Sequence, residues 1–126
     1  MSTRVLVIED NPTNLDLMTY LLRALGYEVA TAPDGVSGLE LARAEKYDVV
    51  LADILMPRMD GYEFARHFKT DPALQSTPLI AVTALAMAGD RERIVAAGFD
   101  DYISKPIDPQ NLGPQIESVL SKAARG

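Results

Sequence analysis

Three strand-like stretches of the chain run without a polar residue: Val5-Leu-Val-Ile8, Val49-Val-Leu-Ala52 and Leu79-Ile-Ala-Val82. A strand with one face in water alternates polar and apolar side chains. A run that does not alternate is covered on both faces, and the usual setting for that is a parallel strand between two layers of helices. Two weaker runs join them. Tyr27-Glu-Val-Ala-Thr31 mixes polar and apolar as an edge strand does, and Tyr102-Ile-Ser104 is short. The predicted strands are Val5 to Ile8, Glu28 to Thr31, Val49 to Ala52, Leu79 to Thr83 and Tyr102 to Ser104.

Segments of helical period fill the gaps. The first puts Leu15, Met18, Leu22 and Leu25 on one stripe, with Asn11 as N-cap, Pro12 at the first helical position and Gly26 as the stop. The second carries Val36, Leu39 and Ala42 after Asp34-Gly35. The third carries Phe64, Ala65 and Phe68 between Asp60-Gly61 and Asp71-Pro72. The fourth uses Ile94 and Ala97 and stops at Gly98, with Arg91-Glu92-Arg93 as a solvated face. The fifth starts at Asp108-Pro109 and carries Leu112, Ile116, Val119 and Leu120. Gly113-Pro114 falls inside it, where proline removes an amide and crowds the carbonyl of Gln110, so a kink or a late start is expected.

Five strands alternating with five helices through short turns predict an α/β fold with a doubly wound parallel sheet. Right-handed crossovers most simply give the strand order 2-1-3-4-5, a flavodoxin-like arrangement with its switch point beside strands 1 and 3. With 126 residues, 48% of them apolar, the chain suits a single domain spanning residues 1–126. No repeat, low-complexity tract or linker interrupts it.

What the chain lacks narrows its setting. Without cysteine, neither a disulfide framework nor a thiolate metal site is available. Met-Ser-Thr-Arg runs straight into a strand that reaches acids at Glu9 and Asp10, which does not resemble a signal peptide. The longest uncharged apolar stretch, Leu79 to Ala88, is interrupted by Thr83 and falls short of the roughly 20 residues of a membrane span. A soluble cytoplasmic protein is expected. The net charge is -6 with no Lys/Arg-rich run, so the basic footprint of sequence-independent nucleic-acid binding is missing. Partners are expected to be proteins, not nucleic acid or membrane.

Two of the apolar runs break off at acids, that of the first predicted strand at Glu9-Asp10 and that of the third predicted strand at Asp53. In the predicted sheet their carboxyl ends are neighbours at the switch point, where open α/β sheets bind ligands. Taken singly, each acid could simply cap the following helix. Three gathered carboxylates repel one another and call for a counter-charge, and an all-oxygen set suits a hard divalent cation such as Mg2+. Thr83 and Lys105 end two further strands on the same rim. Alone, the one reads as a cap and the other as a solvated surface group. Together with the acids they suggest phosphoryl chemistry. Asp53 offers an oxygen nucleophile ionised at neutral pH. Lys105 and a metal can neutralise the equatorial oxygens, and the Thr83 hydroxyl can bond one of them afterwards.

The set Glu9-Asp10, then Asp53 followed by Met56-Pro57 and Asp60-Gly61, then Thr83-Ala84, then Tyr102 three residues before Lys105-Pro106, resembles the receiver domain of bacterial two-component response regulators. The likeness spans about residues 4–122, and the stretch Ala86-Met-Ala-Gly-Asp-Arg-Glu-Arg93 with no second domain resembles single-domain regulators of the CheY or DivK type. The resemblance implies that Asp53 is the phosphoacceptor, that Glu9 and Asp10 are the acidic pair, and that the backbone carbonyl of Leu55 is a further metal ligand, for Mg2+ or alternatively Mn2+. It further implies that Thr83 and Tyr102 form a switch pair, and that Lys105 contacts the phosphoryl group. A cis bond at Pro106 also rests on the resemblance, since such bonds are ordinarily trans. The implied partners are a histidine kinase or histidine phosphotransfer protein as donor, and a downstream protein at the face of helix 4, strand 5 and helix 5.

The switch has a physical rationale. A phosphoryl group on Asp53 adds acceptor oxygens and about two negative charges; Thr83 moving toward them vacates space into which Tyr102 can turn. A half-buried tyrosine with its hydroxyl in water describes the unphosphorylated state. Leu55 and Leu85, apolar neighbours of the site, predict slow access for hydrolytic water and a long phosphoryl lifetime. Met87 is a candidate contributor to a partner surface, and His67 on the third helix reads as a partly packed surface group.

Rival readings fit less well. A phosphatase of the haloacid-dehalogenase type needs a second acid two residues after its nucleophile, where Leu55 stands. A flavodoxin-type cofactor site needs a phosphate-cradling loop, where Glu9-Asp10-Asn11 would repel the ligand. A scaffold that is never phosphorylated would not need every reactive position filled. The expected role is a phospho-accepting signalling switch, not an enzyme.

Overall fold

A computed structural model describes residues 2–84 and 88–125. Strands and helices alternate through the whole length: β1 (Arg4–Ile8), α1 (Pro12–Ala24), β2 (Glu28–Ala32), α2 (Gly35–Ala44), β3 (Val49–Asp53), α3 (Gly61–Thr70), β4 (Leu79–Thr83), α4 (Ala88–Ala96), β5 (Asp101–Ser104) and α5 (Pro109–Arg125). The five strands are parallel in the order β2-β1-β3-β4-β5. This is the predicted α/β, flavodoxin-like topology. Four of the strands are one residue longer than expected, and Asp53 belongs to β3 itself.

Successive side chains of a strand point to opposite faces, so each central strand feeds two cores. Leu6, Ile8, Val50, Ala52, Leu79 and Ala81 pack under α2, α3 and α4, where Leu39, Phe64, Phe68 and Ile94 meet them. Val5, Val7, Val49, Leu51, Ile80 and Val82 face the other way, toward Met18 and Leu22 of α1 and Leu112, Ile116 and Val119 of α5. Coverage on both faces is why β1, β3 and β4 carry no polar alternation.

Helix starts are set by side chains just past the strand ends. The carboxamide oxygen of Asn11 accepts from Asn14 N at 3.1 Å, and the carboxylates of Asp34 and Asp60 accept from Ser37 N at 2.7 Å and Glu63 N at 2.9 Å. Each satisfies an amide that the first helical turn leaves free. Gly26, with φ +91°, ends α1 in the left-handed conformation that favours glycine.

Three expectations need correction. Leu25 is 46% exposed, so the buried stripe of α1 ends at Leu22. Val36 is 53% exposed, so the apolar stripe of α2 begins at Leu39 and its first turn packs through Gly35 and Gly38 instead. The fifth helix does not start late: α5 begins at Pro109 and passes through Pro114 as one segment. Pro114 and Gln110 are both exposed, so the carbonyl deprived of its amide partner can face water. Among the described residues, no helix is long and apolar enough to cross a membrane.

Candidate functional site

The site is built at the carboxyl ends of β1 and β3, with β4 and β5 completing the rim. Glu9 follows β1 directly, and its backbone N–H donates to Ala32 O at 3.1 Å, which carries the line of the sheet one residue past the strand. Its side chain is buried, with Oε2 accepting from Asn11 N at 3.3 Å. Asp10 stands exposed beside it. Asp53 ends β3 and is 4% exposed; its Oδ1 accepts from Leu55 N at 3.2 Å. The turn after it is fixed by Gly61, whose N–H donates to Ile54 O at 2.8 Å. A Cβ at Gly61 would lie 2.6 Å from the Asp53 carbonyl oxygen and equally close to Ile54 Cα. Only glycine lets α3 begin this close to the Asp53 backbone.

Lys105 enters from the far side. Its N–H donates to Thr83 O at 2.8 Å, extending the β4–β5 pairing, and the peptide bond to Pro106 is cis. Its ammonium then reaches across the rim to Glu9 Oε1 at 2.8 Å and Asp53 Oδ2 at 3.1 Å. Burial works to lower the Lys105 pKa, but the two carboxylates outweigh it and hold the group above its ordinary value. Burial and a hydrogen bond with Glu9 raise the Asp10 carboxyl above its ordinary value.

Oxygens of Glu9, Asp10 and Asp53 lie within 4.8 Å of one another. All are hard donors, and the cluster has the composition of a divalent-cation site in which the ammonium of Lys105 shares the work of neutralisation. Glu9, Asp10, Asp53 and Lys105 are thus brought together as expected. Thr83 is fully buried at the end of β4, the strand beside β3. The Leu55 side chain is 57% exposed next to the cluster. Leu85 and Met87 lie outside the described residues.

Tyr102 is half-buried, as expected, and its hydroxyl has a protein partner that the sequence did not indicate. It lies on β5, opposite Ala81, and its phenol oxygen accepts two hydrogen bonds from the Arg91 guanidinium, that from Nε at 3.0 Å. The guanidinium carbon lies 5.3 Å from the ring centroid. Arg93 likewise sits 4.5 Å over the ring of Tyr62 on α3. The Arg91-Glu92-Arg93 segment is exposed, as expected of a solvated face, and two of its residues also lie beside aromatics of other elements. No local sequence signal marks these pairs, because each joins a long side chain of α4 to an aromatic on another element.

Fold and site together define a phosphorylation-dependent signalling domain, and the chain belongs to the response regulator receiver domain family, whose pattern it matches over residues 5–117. It is similar to the polar-differentiation response regulator DivK of Brucella anthropi, with 42% identity over 123 residues that cover 98% of this chain and 100% of that protein. Among solved structures it is similar to the receiver domain of the sensor histidine kinase PA1611 from Pseudomonas aeruginosa PAO1, which holds a magnesium ion coordinated in the active site cleft. The identity there is 34% and the TM-score 0.89, covering 96% of this chain and 99% of that one. It is also similar to the chemotaxis protein CheY4 of Vibrio cholerae, at 28% identity and TM-score 0.89, covering 94% and 99%. The general function of the chain is that of its family, phosphorylation-based two-component signalling, in which receiver domains interact with histidine kinases or phosphotransfer proteins and with downstream effectors.

Proposed function

We propose that Asp53 is the phosphoacceptor of this receiver, that Glu9, Asp10 and Asp53 with the Leu55 carbonyl hold Mg2+, with Mn2+ as a substitute, and that the chain acts as a stoichiometric switch and not as an enzyme. The observation that carries this is the convergence of three carboxylates and one ammonium on a single rim, with Asp53 at the centre of the sheet. The magnesium-bound Pseudomonas relative supports the choice of ion. Bound there, Mg2+ would supply positive charge to the phosphoryl oxygens.

The residues of the chain divide the chemistry among themselves. A carboxylate oxygen of Asp53 attacks the phosphorus of a phosphohistidine donor; a P–O bond forms, the P–N bond breaks, and the imidazole leaves with the electron pair. Leu55 N–H and Lys105 orient the attacking carboxylate, since each already bonds one of its oxygens. Lys105 then follows the charge onto the phosphoryl group, and the Thr83 hydroxyl bonds one of its oxygens. Thr83 and Tyr102 are the switch pair that passes the change to the surface of α4, β5 and α5. A groove of about 630 Å3 beside Tyr102, lined by Asp101, Ser104, Asp108, Pro114 and Gln115, supports that face as the place where a downstream protein docks. The expected compartment is the cytoplasm, where such donors occur.

The test is incubation with Mg2+ and a small phosphodonor, followed by intact mass. One added phosphoryl group in the wild type and none in Asp53→Asn is expected. No gain, or an equal gain in the variant, sinks the assignment. Repeated turnover of an added phosphomonoester would instead make the chain a phosphatase.

A further inference from the structure

The helix α4 is fastened unlike its neighbours. Ile94 is its one buried apolar side chain among those described, while Val95 beside it is 63% exposed. Arginine–tyrosine contacts flank it on both sides, Arg91 reaching Tyr102 on β5 and Arg93 covering Tyr62 on α3. Of these, the Arg91 contact is the more directional. Two N–H groups of the guanidinium fork converge on one phenol oxygen, with the guanidinium carbon 5.3 Å from the ring centroid, so the hydroxyl is held from two directions.

Resting on the reading of Asp53 as phosphoacceptor and Tyr102 as its switch partner, we propose that Arg91 is a positioning residue that latches Tyr102 at the protein surface and thereby sets how far the unphosphorylated domain leans toward its resting state. The geometry follows from elementary linkage. A phosphoryl group shifts the equilibrium only by its differential contacts with the two states, and any contact present in the resting state alone opposes it. The Tyr102 side chain cannot leave the position beside α4 without giving up both hydrogen bonds and the nearby cation. Removing the latch makes the active arrangement easier to reach, so ligands that favour it bind more tightly by the same factor. Arg93 provides an internal contrast. It carries the same charge on the same helix and makes the same type of aromatic contact, but it does not touch Tyr102.

The experiment compares Arg91→Met, Arg91→Lys and Arg93→Met with the wild type by titrating beryllofluoride, a phosphoryl mimic, in the presence of Mg2+, and by recording the ring resonances of Tyr102 in the free protein. Arg91→Met is expected to raise the apparent affinity for the mimic roughly fivefold, the scale of an exposed cation–aromatic contact with its hydrogen bonds. It should also shift the Tyr102 ring resonances before any mimic is added. The lysine variant, which keeps the charge but not the fork, should fall between. Arg93→Met should stay near wild type in both measurements. Equal gains from Arg91→Met and Arg93→Met would show general loosening of α4 and overturn the latch, as would an unchanged affinity in Arg91→Met. If the wild type fails to take up beryllofluoride, the phosphoacceptor reading fails instead. The ring resonances of the free protein then still decide whether Arg91 holds Tyr102.

Discussion

Lys105 Nζ stands 2.8 Å from Glu9 Oε1, an ion pair between residues 96 apart in sequence that closes the rim of the sheet. Glu9 is buried and Lys105 mostly so, and a second carboxylate, Asp53, shares the ammonium. Removing one partner of a buried pair leaves the other charge uncompensated, at a cost of about 3–5 kcal/mol when burial is complete. Lys105 retains some contact with water, so Lys105→Met is expected to destabilise the metal-free protein by about 2 kcal/mol. Added Mg2+ should recover more stability in the variant than in the wild type, because it then supplies the only local counter-charge. Urea unfolding with and without Mg2+ measures both, and a variant as stable as wild type in chelator would refute the coupling. The Lys105 pKa is raised by folding, so its contribution is complete below its unfolded value near 10.5 and is lost only as pH rises through the folded value. At neutral pH the effect is present in full.

Asp34 offers a separate pH-dependent increment, on the same rim but outside the acidic cluster. As N-cap of α2 it accepts from Ser37 N at 2.7 Å, and that bond holds its pKa below the ordinary 3.8. A depressed folded pKa means stabilisation that is present above the unfolded value and lost as pH falls through the folded one. Asp34→Ala should cost about 1 kcal/mol at neutral pH. The difference between the two proteins should shrink once the pH falls below 3.8. Unfolding curves at both pH values decide it; a penalty that does not change with pH would mean the cap does not act through the carboxylate.

The parts of this structure that were legible in the sequence are those where one side chain acts through its neighbours in the chain. Uninterrupted apolar runs mark β1, β3 and β4 because coverage on both faces leaves no polar alternation to confuse them. Glu9, Asp10 and Asp53 could be placed together because a parallel sheet puts all strand ends on one rim. Contacts chosen by long side chains could not be read this way. Nothing near Arg91 in the sequence says that its guanidinium will settle on Tyr102, and the sharing of Lys105 between two acids depends on distances across the sheet. Val36 misled because helical period alone does not say where an apolar stripe begins once Gly35 and Gly38 let the first turn lie close to its neighbours.

Arg58 lies in the turn between β3 and α3 with φ +67°, a left-handed conformation that costs a residue with a Cβ about 1–2 kcal/mol. Glycine there would remove the strain but add chain entropy to the unfolded state, about 0.4–1 kcal/mol. Arg58 also favours the charged form of Asp34. The net expectation for Arg58→Gly is stabilisation by about 0.5 kcal/mol. It should appear as a higher urea midpoint with an unchanged slope. A lower midpoint would show that the arginine side chain contributes more than its backbone costs.

Gly61 and Gly89 should respond in opposite directions to the same substitution. A Cβ at Gly61 would meet the Asp53 carbonyl oxygen and Ile54 Cα, both at 2.6 Å, whereas one at Gly89 on α4 meets nothing within 4 Å. Backbone cannot turn aside as a flexible side chain can, so Gly61→Ala is expected to destabilise by about 1–3 kcal/mol. It should also slow phosphorylation, since the wall that must yield carries Asp53, the proposed acceptor. Gly89→Ala removes backbone freedom from the unfolded chain and should stabilise by about 0.5–1 kcal/mol. Unfolding free energies, with phosphorylation followed by intact mass, test both; normal phosphorylation in a destabilised Gly61→Ala would separate that contact from the site.

Leu55 is the residue expected to govern how water meets the proposed acceptor, Asp53. Its amide bonds Asp53 Oδ1 while its side chain, 57% exposed, stands at the mouth of the cluster. An apolar group there covers the approach and offers nothing that could orient a hydrolytic water or accept its proton. A long-lived phosphoryl group is the expected consequence. Leu55→Asn keeps the amide bond and a comparable volume but adds a donor and an acceptor beside the phosphoryl group, and it should shorten the phosphoryl half-life roughly three- to tenfold, well below the gain of a fully positioned general base. Decay of the phosphorylated species after donor removal, followed in Mg2+ alone, gives the number directly. Rapid decay already in the wild type, or an unchanged rate in the variant, would mean that water reaches the phosphoryl group by a path Leu55 does not cover.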